Sequence, residues 1–266
     1  MPKVAIVAAL EREVRRLTRS LSRVEHRYAG RKFIFFERDE MVIVCGGIGV
    51  EAARRAAEAA IALYKPTLLQ SVGFAGALDA DLRPGDLFMP AFVIDARDGS
   101  RIEIECAPGP GRGIRQERSS LVTFTAGAGA QQKASLAKAY GAQAVDMEAA
   151  GVAAAARAHG LGFGAMKVIS DELNFEMPET ARFIDANGYF KTANFAAFVA
   201  LRPWLWLSTA TLATNSRKAA RALCEHLERY RQELSRPSNP VAAPAATAQP
   251  EPQPAAAGGL HLGGRE

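Results

Sequence analysis

Three carboxylates have types and positions that suit chemistry, because each lies at the end of a predicted strand or the start of a predicted helix. Glu13 is in the first turn after the first strand, Glu148 begins a helix, and Asp171 follows a strand. Singly, each could be a helix cap or dipole partner. Together at one sheet edge, they suit glycosidic-bond cleavage. Its oxocarbenium-like transition state needs one group to protonate the leaving group and another to activate the nucleophile.

A glycine turn offers a competing chemistry. Residues 47–52 satisfy the relaxed dinucleotide-binding fingerprint, after a predicted strand and before a predicted helix. The acid expected about 20 residues further on is absent, since Gln70 and Ser71 occupy that place. We interpret the turn as a close approach of backbone to a ligand, or simply as a tight turn. NAD(P)H binding would instead identify a dinucleotide enzyme.

The remaining reactive residue types form no recognisable motif. Cys45, Cys106 and Cys224 are an odd number without metal-type spacing, and the four histidines share no motif. The sequence has no Gly-x-Ser-x-Gly elbow and no Walker A lysine. We therefore predict free cysteines, no disulfide scaffold, no metal site and no organic cofactor.

The elements that must position the three acids alternate along the chain. This alternation predicts an α/β domain with a mainly parallel sheet covered on both faces, and ligands gather at the carboxyl ends of such strands. Predicted strands are 3–10, 32–38, 41–45, 67–72, 87–94, 100–106, 121–125 and 163–169, and predicted helices are 11–21, 51–64, 134–139, 149–159 (opened by 144–148) and 192–234, broken at Pro203.

Composition limits the class of protein. The 266 residues are 48% hydrophobic, which is ample for a core, and the net charge of +5 is scattered rather than gathered into a nucleic-acid-binding stripe. No uncharged apolar run is long enough to span a membrane, and no signal peptide is expected, so we predict a cytoplasmic location. Six of the 14 prolines lie between Pro237 and Pro254. We predict one domain over 1–235 and a disordered tail over 236–266.

Four segments, in this order, resemble the purine nucleoside phosphorylase/uridine phosphorylase superfamily, and within it the methylthioadenosine/S-adenosylhomocysteine nucleosidase branch. The resemblance implies a three-layer α/β/α sandwich around a twisted, mainly parallel mixed sheet, and a homodimer or larger homo-oligomer. The segments are 7–14 (VAALEREV), 46–53 (GGIGVEAA), 73–78 (GFAGAL) with 85–86 (GD), and 145–150 (VDMEAA) with 169–171 (ISD).

The resemblance also implies a role for each acid. Asp171 would protonate the purine at N7 as the base leaves, and Glu13 would deprotonate the attacking water. Glu148 would accept hydrogen bonds from the ribose hydroxyls, with Met147 packed against the sugar. The positions implied to bind substrate are Glu148, Met147, Phe74, Ala75, Gly76 and Gly47.

Water is the favoured nucleophile, although phosphorolysis remains an alternative. Phosphorolytic members of the superfamily hold phosphate with glycine and arginine in the first loop. Here that loop carries the carboxylates of Glu11 and Glu13, which would repel an anion, and Arg12 is its only cation. We therefore predict a nucleosidase that releases a purine, with adenine as the expected base, from a nucleoside with or without a 5′ substituent.

Three departures from the family pattern concern the substrate. Phe74 stands where the nucleosidases commonly have serine, and Lys167 stands where arginine is usual. The stretch 86–145 is shorter than in the methylthioadenosine enzymes. We therefore assign no base-stacking residue.

The very apolar stretch 195–207 leaves two interpretations open, which imply different partners and substrates. We interpret it as a core or dimer helix, and alternatively as a lipid-facing surface, because Trp204 and Trp206 are followed by basic residues. The lipid alternative would suit a hopanoid-associated nucleosidase acting on a lipid-linked adenosine, and a futalosine-type nucleosidase is also open. A nucleoside-binding protein without activity is the non-enzyme alternative.

Overall fold

The computed structural model describes residues 4–104 and 119–234. The tail predicted for 236–266, the domain boundary beside it and Cys106 lie outside the described residues. Within them, Cys45 and Cys224 are free thiols, as predicted.

Eleven strands form one mixed, mainly parallel sheet. Their order is β2-β3-β4-β1-β5-β10-β9-β7-β8, and β11 lies beside β5 and β6. The strands are β1 (Val4–Ala8), β2 (Ser22–Tyr28), β3 (Arg31–Arg38), β4 (Met41–Cys45), β5 (Leu68–Ala77), β6 (Leu87–Phe88), β7 (Phe92–Asp95), β8 (Arg101–Glu103), β9 (Ser120–Thr123), β10 (Ala144–Asp146) and β11 (Gly162–Asp171).

Helices cover both faces of the sheet and confirm the three-layer α/β/α architecture. The alternating side chains of β1 contribute to two cores, one shared with α2 and α4 and the other with α1 and α6. The helices are α1 (Glu11–Thr18), α2 (Val50–Tyr64), α3 (Ala130–Tyr140), α4 (Ala149–Ala158), α5 (Thr192–Ala200) and α6 (Trp206–Leu234), with 3-10 turns at Thr180–Phe183 and Pro203–Leu205.

The central strands bring the predicted acids to one edge. Strands β4, β1, β5 and β11 are mutually parallel, so their carboxyl ends lie together. Strand β10 runs antiparallel to the end of β5, with Val145 opposite Gly76. It therefore delivers the segment after Asp146 to the same edge from the opposite direction.

Several elements differ from the sequence prediction. Strand β2 was missed because charged residues alternate along this half-exposed hairpin strand. Residues 144–146 were predicted as part of a helix opening but form β10, and β5 continues through the glycines of 73–76. Pro90 divides the predicted strand 87–94 into β6 and β7.

The apolar stretch near Trp204 is not buried in the core of this chain, so the core part of that interpretation is wrong, while the dimer helix stays a prediction. Leu201, Trp204, Trp206 and Leu207 are exposed, at 78%, 74%, 56% and 81%. Among the described residues, no single helix has the length and apolar character needed to cross a membrane. The pair Thr192–Ala200 and Pro203–Leu234, bent by 117°, meets these criteria only when taken together.

Candidate active site

A cavity of about 490 Å³ lies at the carboxyl ends of β1, β5 and β11. All three predicted acids line it. The structure thus brings together residues that are far apart in sequence, since Glu13 and Asp171 are separated by 158 positions. The predicted positions found on its wall are Glu13, Phe74, Ala75, Gly76, Met147, Glu148 and Asp171.

Glu13 is held in the first turn of α1, where the amide of Leu10 donates to its Oε2 at 3.4 Å. Gly73, with φ of +144°, makes room for the carboxylate, because a Cβ there would lie 3.0 Å from Oε2. Burial raises the pKa of Glu13 from 4.5 to about 7, against the opposing effect of Lys167 and the Leu10 amide. Glu13 is thus a carboxyl group that changes protonation near neutral pH.

Glu148 lies between β10 and α4 and is fixed by main-chain donors. The amide of Gly49 donates to Oε1 at 3.0 Å, and that of Met147 donates to Oε2 at 3.3 Å. Burial raises its pKa to about 8; the neighbouring Asp146 adds to the shift, while Lys167 opposes it. The Gly49 amide at the start of α2 is therefore already occupied by a carboxylate, which argues against a pyrophosphate bound there.

Lys167 places a fully buried cation beneath the acids. Its Nζ lies 2.8 Å from Asp146 Oδ2 and donates to Ser71 Oγ at 2.9 Å. Burial by itself would lower the pKa of Lys167, but Asp146, Glu148 and Glu13 outweigh it and raise the pKa. The lysine noted in the sequence only as a departure from the family therefore offsets the negative charge of the site.

Asp146 anchors this arrangement, although nothing in the sequence singles it out beyond its place in a family segment. Its Oδ1 accepts from Thr123 Oγ1 at 2.7 Å and its Oδ2 from the Ala149 amide at 2.8 Å. The second contact satisfies a free amide at the start of α4. The carboxylate thereby joins β9, β10, α4 and β11.

Asp171 ends β11 and has a partner on each oxygen. Ser170 Oγ donates to Oδ1 at 2.6 Å, and the ammonium of Lys133 pairs with Oδ2. Gly76 is needed opposite it, because a Cβ there would lie 2.9 Å from Oδ2. Asp171 is 3% exposed, and these neighbours hold its carboxyl group in place.

Sequence reasoning missed Lys133, which lies on α3. Its ammonium also donates to the main-chain carbonyl of Glu172. The available signal was helical spacing, since Lys133 and Leu136 lie on the one buried face of α3. A lysine on an apolar helix face is a buried charge that needs a partner.

Gly47 is the one predicted position that does not line the cavity. A Cβ on it would lie 2.8 Å from the carbonyl oxygen of Asn187. The expectation of a close ligand approach is corrected here: the chain itself, at 187–188, fills the space beside Gly47. Ile48 lines the cavity instead.

The outer part of the cavity is formed largely by α5, α6 and the segment before them, which contribute apolar side chains together with Thr209 and Arg217. Phe190, Phe195 and Leu212 line it, and the guanidinium of Arg12 lies 5.4 Å from the Phe190 ring centroid. Within 4–104 and 119–234, no group of three or more His, Cys, Asp or Glu side chains is arranged to hold a metal ion.

Comparisons with known proteins agree with this fold. The curated 5′-methylthioadenosine/S-adenosylhomocysteine nucleosidase of Buchnera aphidicola is 29% identical over 91 residues, which are 33% of this chain and 39% of that protein. The matched region thus spans about two fifths of the length of this curated relative.

Solved structures are similar over nearly their whole lengths. The futalosine hydrolase of Helicobacter pylori is 17% identical with a TM-score of 0.60, covering 87% of this chain and 98% of that one. The nucleosidase of Colwellia psychrerythraea, in complex with adenine, is 20% identical with a TM-score of 0.62, covering 88% and 96%. These likenesses concern the fold.

The family itself follows from a match over most of the described chain. The model of the phosphorylase superfamily matches residues 3–118 and 118–200, which include every strand and the three acids. With the four ordered segments and the α/β/α sheet, this match shows that the chain belongs to the phosphorylase superfamily.

Proposed function

We propose that this protein hydrolyses the N-glycosidic bond of a purine nucleoside, with adenine as the expected base. The observation that carries the proposal is the convergence of Glu13, Glu148 and Asp171 on one cavity. Glycosidic cleavage needs a proton donor for the leaving base, a base for the nucleophile and acceptors for the sugar. Relatives that are named nucleosidases or hydrolases support the same chemistry.

Each acid has a distinct part in the proposed mechanism. Asp171 and its hydrogen-bonded neighbours deliver a proton to the departing purine. Glu13, with a pKa raised to about 7, accepts the proton of the attacking water. Glu148, held by the amides of Gly49 and Met147, accepts hydrogen bonds from the ribose hydroxyls.

Water is proposed as the nucleophile rather than phosphate. Glu13 must be ionised to accept the proton of the attacking water, and its carboxylate would then oppose a bound phosphate; Arg12 is the cation of the first loop that lines the cavity. Glu11, expected from sequence to add to this repulsion, is exposed and does not line the cavity. The repulsion therefore rests on the ionised form of Glu13.

The test incubates the full chain with adenosine, inosine, methylthioadenosine and longer 5′-substituted analogues, with and without phosphate. We expect release of free base and free ribose sugar at equal rates in both conditions. Strict dependence on phosphate, with a sugar 1-phosphate as product, would overturn hydrolysis. Tight purine binding without turnover of any analogue would instead support the nucleoside-binding alternative.

The apolar outer part of the cavity supports a nucleoside with an apolar 5′ substituent. Phe190, Phe195 and Leu212 provide apolar surface on one wall of the cavity, where Arg12 and Arg217 are the charged side chains. Burial of an apolar substituent there would contribute about 25 cal/mol of favourable free energy per Å² of surface removed from water. A rise in kcat/KM with the length of an apolar 5′ chain would favour the lipid-linked alternative over methylthioadenosine or a futalosine-type substrate.

We also propose that the exposed corner formed by α5 and α6 contacts an anionic lipid surface. Residues 186–224 contain no Asp or Glu but carry five Lys and Arg, a charge pattern that complements anionic lipid. Trp206 is oriented by its Nε1 donating to the Val199 carbonyl at 3.0 Å, and Arg202 stacks 3.8 Å over Phe198. The corner thus presents ordered aromatic and cationic side chains together.

Replacing Trp204 and Trp206 together by Ala is expected to reduce sedimentation with phosphatidylglycerol vesicles by about 10-fold, because both rings leave the interface. Leu63→Ala, which removes an exposed apolar side chain on α2, is the control and should leave vesicle binding unchanged. If the wild type ignores the vesicles but self-associates through the Trp residues in sedimentation velocity, the corner binds a second copy and the lipid proposal is wrong.

The homo-oligomeric state and the cytoplasmic location remain predictions. The same sedimentation velocity experiment on the wild type measures the first. Fractionation of the source cells tests the cytoplasmic location. Protein that sediments with membranes and is released from them by salt would agree with the lipid contact.

A further inference from the structure

Lys133 is a buried cation that the proposed mechanism does not yet use. Its side chain is 1% exposed, and its ammonium contacts Asp171 Oδ2 and the Glu172 carbonyl. Removing an ammonium from water is costly, and apolar residues of similar volume often replace buried ion pairs without loss of stability. Packing by itself therefore does not account for a lysine at this position.

The surroundings direct Lys133 to one carboxylate. Gly76 lies against its stem, since a Cβ on Gly76 would be 3.1 Å from Lys133 Cε and 2.9 Å from Asp171 Oδ2. Ser170 Oγ occupies the other oxygen of Asp171. Another acid, Glu176, lies close to Gly129, the residue that precedes α3. Among the described residues, no other cation contacts Asp171.

This geometry matters because a leaving purine needs a proton and a carboxylate paired with an ammonium has none of its own. The proton must therefore come from the ion pair of Lys133 and Asp171 taken together. Lys133 lines the same cavity as Asp171, so the pair lies where the base departs.

We propose that Lys133 is the positioning residue that supplies, through Asp171, the proton taken by the leaving purine. As the glycosidic bond breaks, its electron pair goes to the base. The ammonium of Lys133 transfers a proton to Asp171 Oδ2, and Asp171 passes this proton to the base. Asp171 is then again a carboxylate and Lys133 is a neutral amine, which regains a proton from solvent. The inference rests on the proposed glycosidic cleavage.

Lys133→Met is expected to lower kcat for the purine nucleoside at pH 8 by about 10²-fold, with KM changed by less than about 3-fold. Hydrolysis of 4-nitrophenyl β-ribofuranoside, whose phenolate leaves without a proton, should change less than about 3-fold.

Two further lysine variants separate this role from a structural one. Lys133→Arg keeps the cation but cannot release a proton, so its kcat on the nucleoside should fall as in Lys133→Met. Lys138→Met, on the exposed side of α3, should match the wild type throughout. Lys133→Gln replaces Lys133→Met if the latter does not fold. Equal losses on the nucleoside and the nitrophenyl riboside, or wild-type kcat of Lys133→Arg on the nucleoside, would overturn the proposal. Failure of the wild type to hydrolyse any nucleoside would instead refute the proposed function.

Discussion

Replacing Asp171 by Asn is expected to lower kcat for purine nucleoside hydrolysis by about 10³-fold, within the range for loss of a general acid. The amide keeps the size of the carboxyl group and an oxygen acceptor for Lys133, but it cannot pass a proton to the base. Steady-state kinetics on the best nucleoside from the substrate panel measures the effect. Thermal unfolding in parallel measures whether the buried Lys133 tolerates the loss of its charged partner.

Asp81→Asn is the matched control, because it makes the same chemical change at an exposed position. Its kcat should equal that of the wild type. A turnover of Asp171→Asn close to the wild-type rate, in protein that unfolds at the wild-type temperature, would show that the base leaves without a proton from this carboxyl group.

Replacing Glu13 by Gln is expected to lower kcat by about 10²-fold or more, because the attacking water loses its proton acceptor. In the wild type, kcat/KM should rise with pH and level off above the Glu13 pKa of about 7, since only the ionised carboxylate acts as a base. The variant should lose this acidic limb. Rates from pH 5 to pH 9 in constant ionic strength measure both effects.

The same variant should gain stability at alkaline pH. The pKa of Glu13 is raised in the folded protein, so the folded state holds its proton more tightly than the unfolded chain. The stabilising contribution is complete below about 4.5 and is lost as pH rises through about 7, a difference of about 3 kcal/mol. Above that pH, Glu13→Gln removes a buried charge and is expected to unfold at a temperature at or above that of the wild type.

Glu11→Gln tests this interpretation, because it alters an exposed acid on the same helical turn. It should leave the acidic limb and the unfolding temperature unchanged. A Glu13→Gln variant that is less stable than the wild type at pH 8 would show that the carboxylate stabilises the fold, and the low-pH limb would then need another source.

The convergence of the acids at one edge of the sheet could be predicted from local sequence. Glu13 and Asp171 follow apolar runs that are strands, and parallel strands with helical connections place such ends at one edge. The glycines of 73–76 were also recognised, and the structure supplies their reason, which is the close approach of the two carboxyl groups. Patterns of this kind are local in the chain, so sequence shows them directly.

The partners of those acids could not be predicted in the same way. Lys133 and Asp171 are 38 positions apart, and Lys167 meets Ser71 across 96. Nothing in the spacing along the chain states which buried lysine faces which carboxylate, since that depends on the pairing of β5 with β11 and on the placement of α3. Gly47 was misassigned for the same reason: its neighbour, at 187–188, is distant in sequence.

The sequence by itself determined the alternating architecture, the family and the three acids, because hydrophobic period and short ordered segments are encoded residue by residue. The tertiary structure decided how deeply Glu13 and Glu148 are buried, and hence their raised pKa values. It also decided that the apolar stretch around Trp204 faces outward, since burial depends on what packs against a helix and not on its composition. Electrostatics and exposure are properties of contacts between distant segments, which only the folded chain brings together.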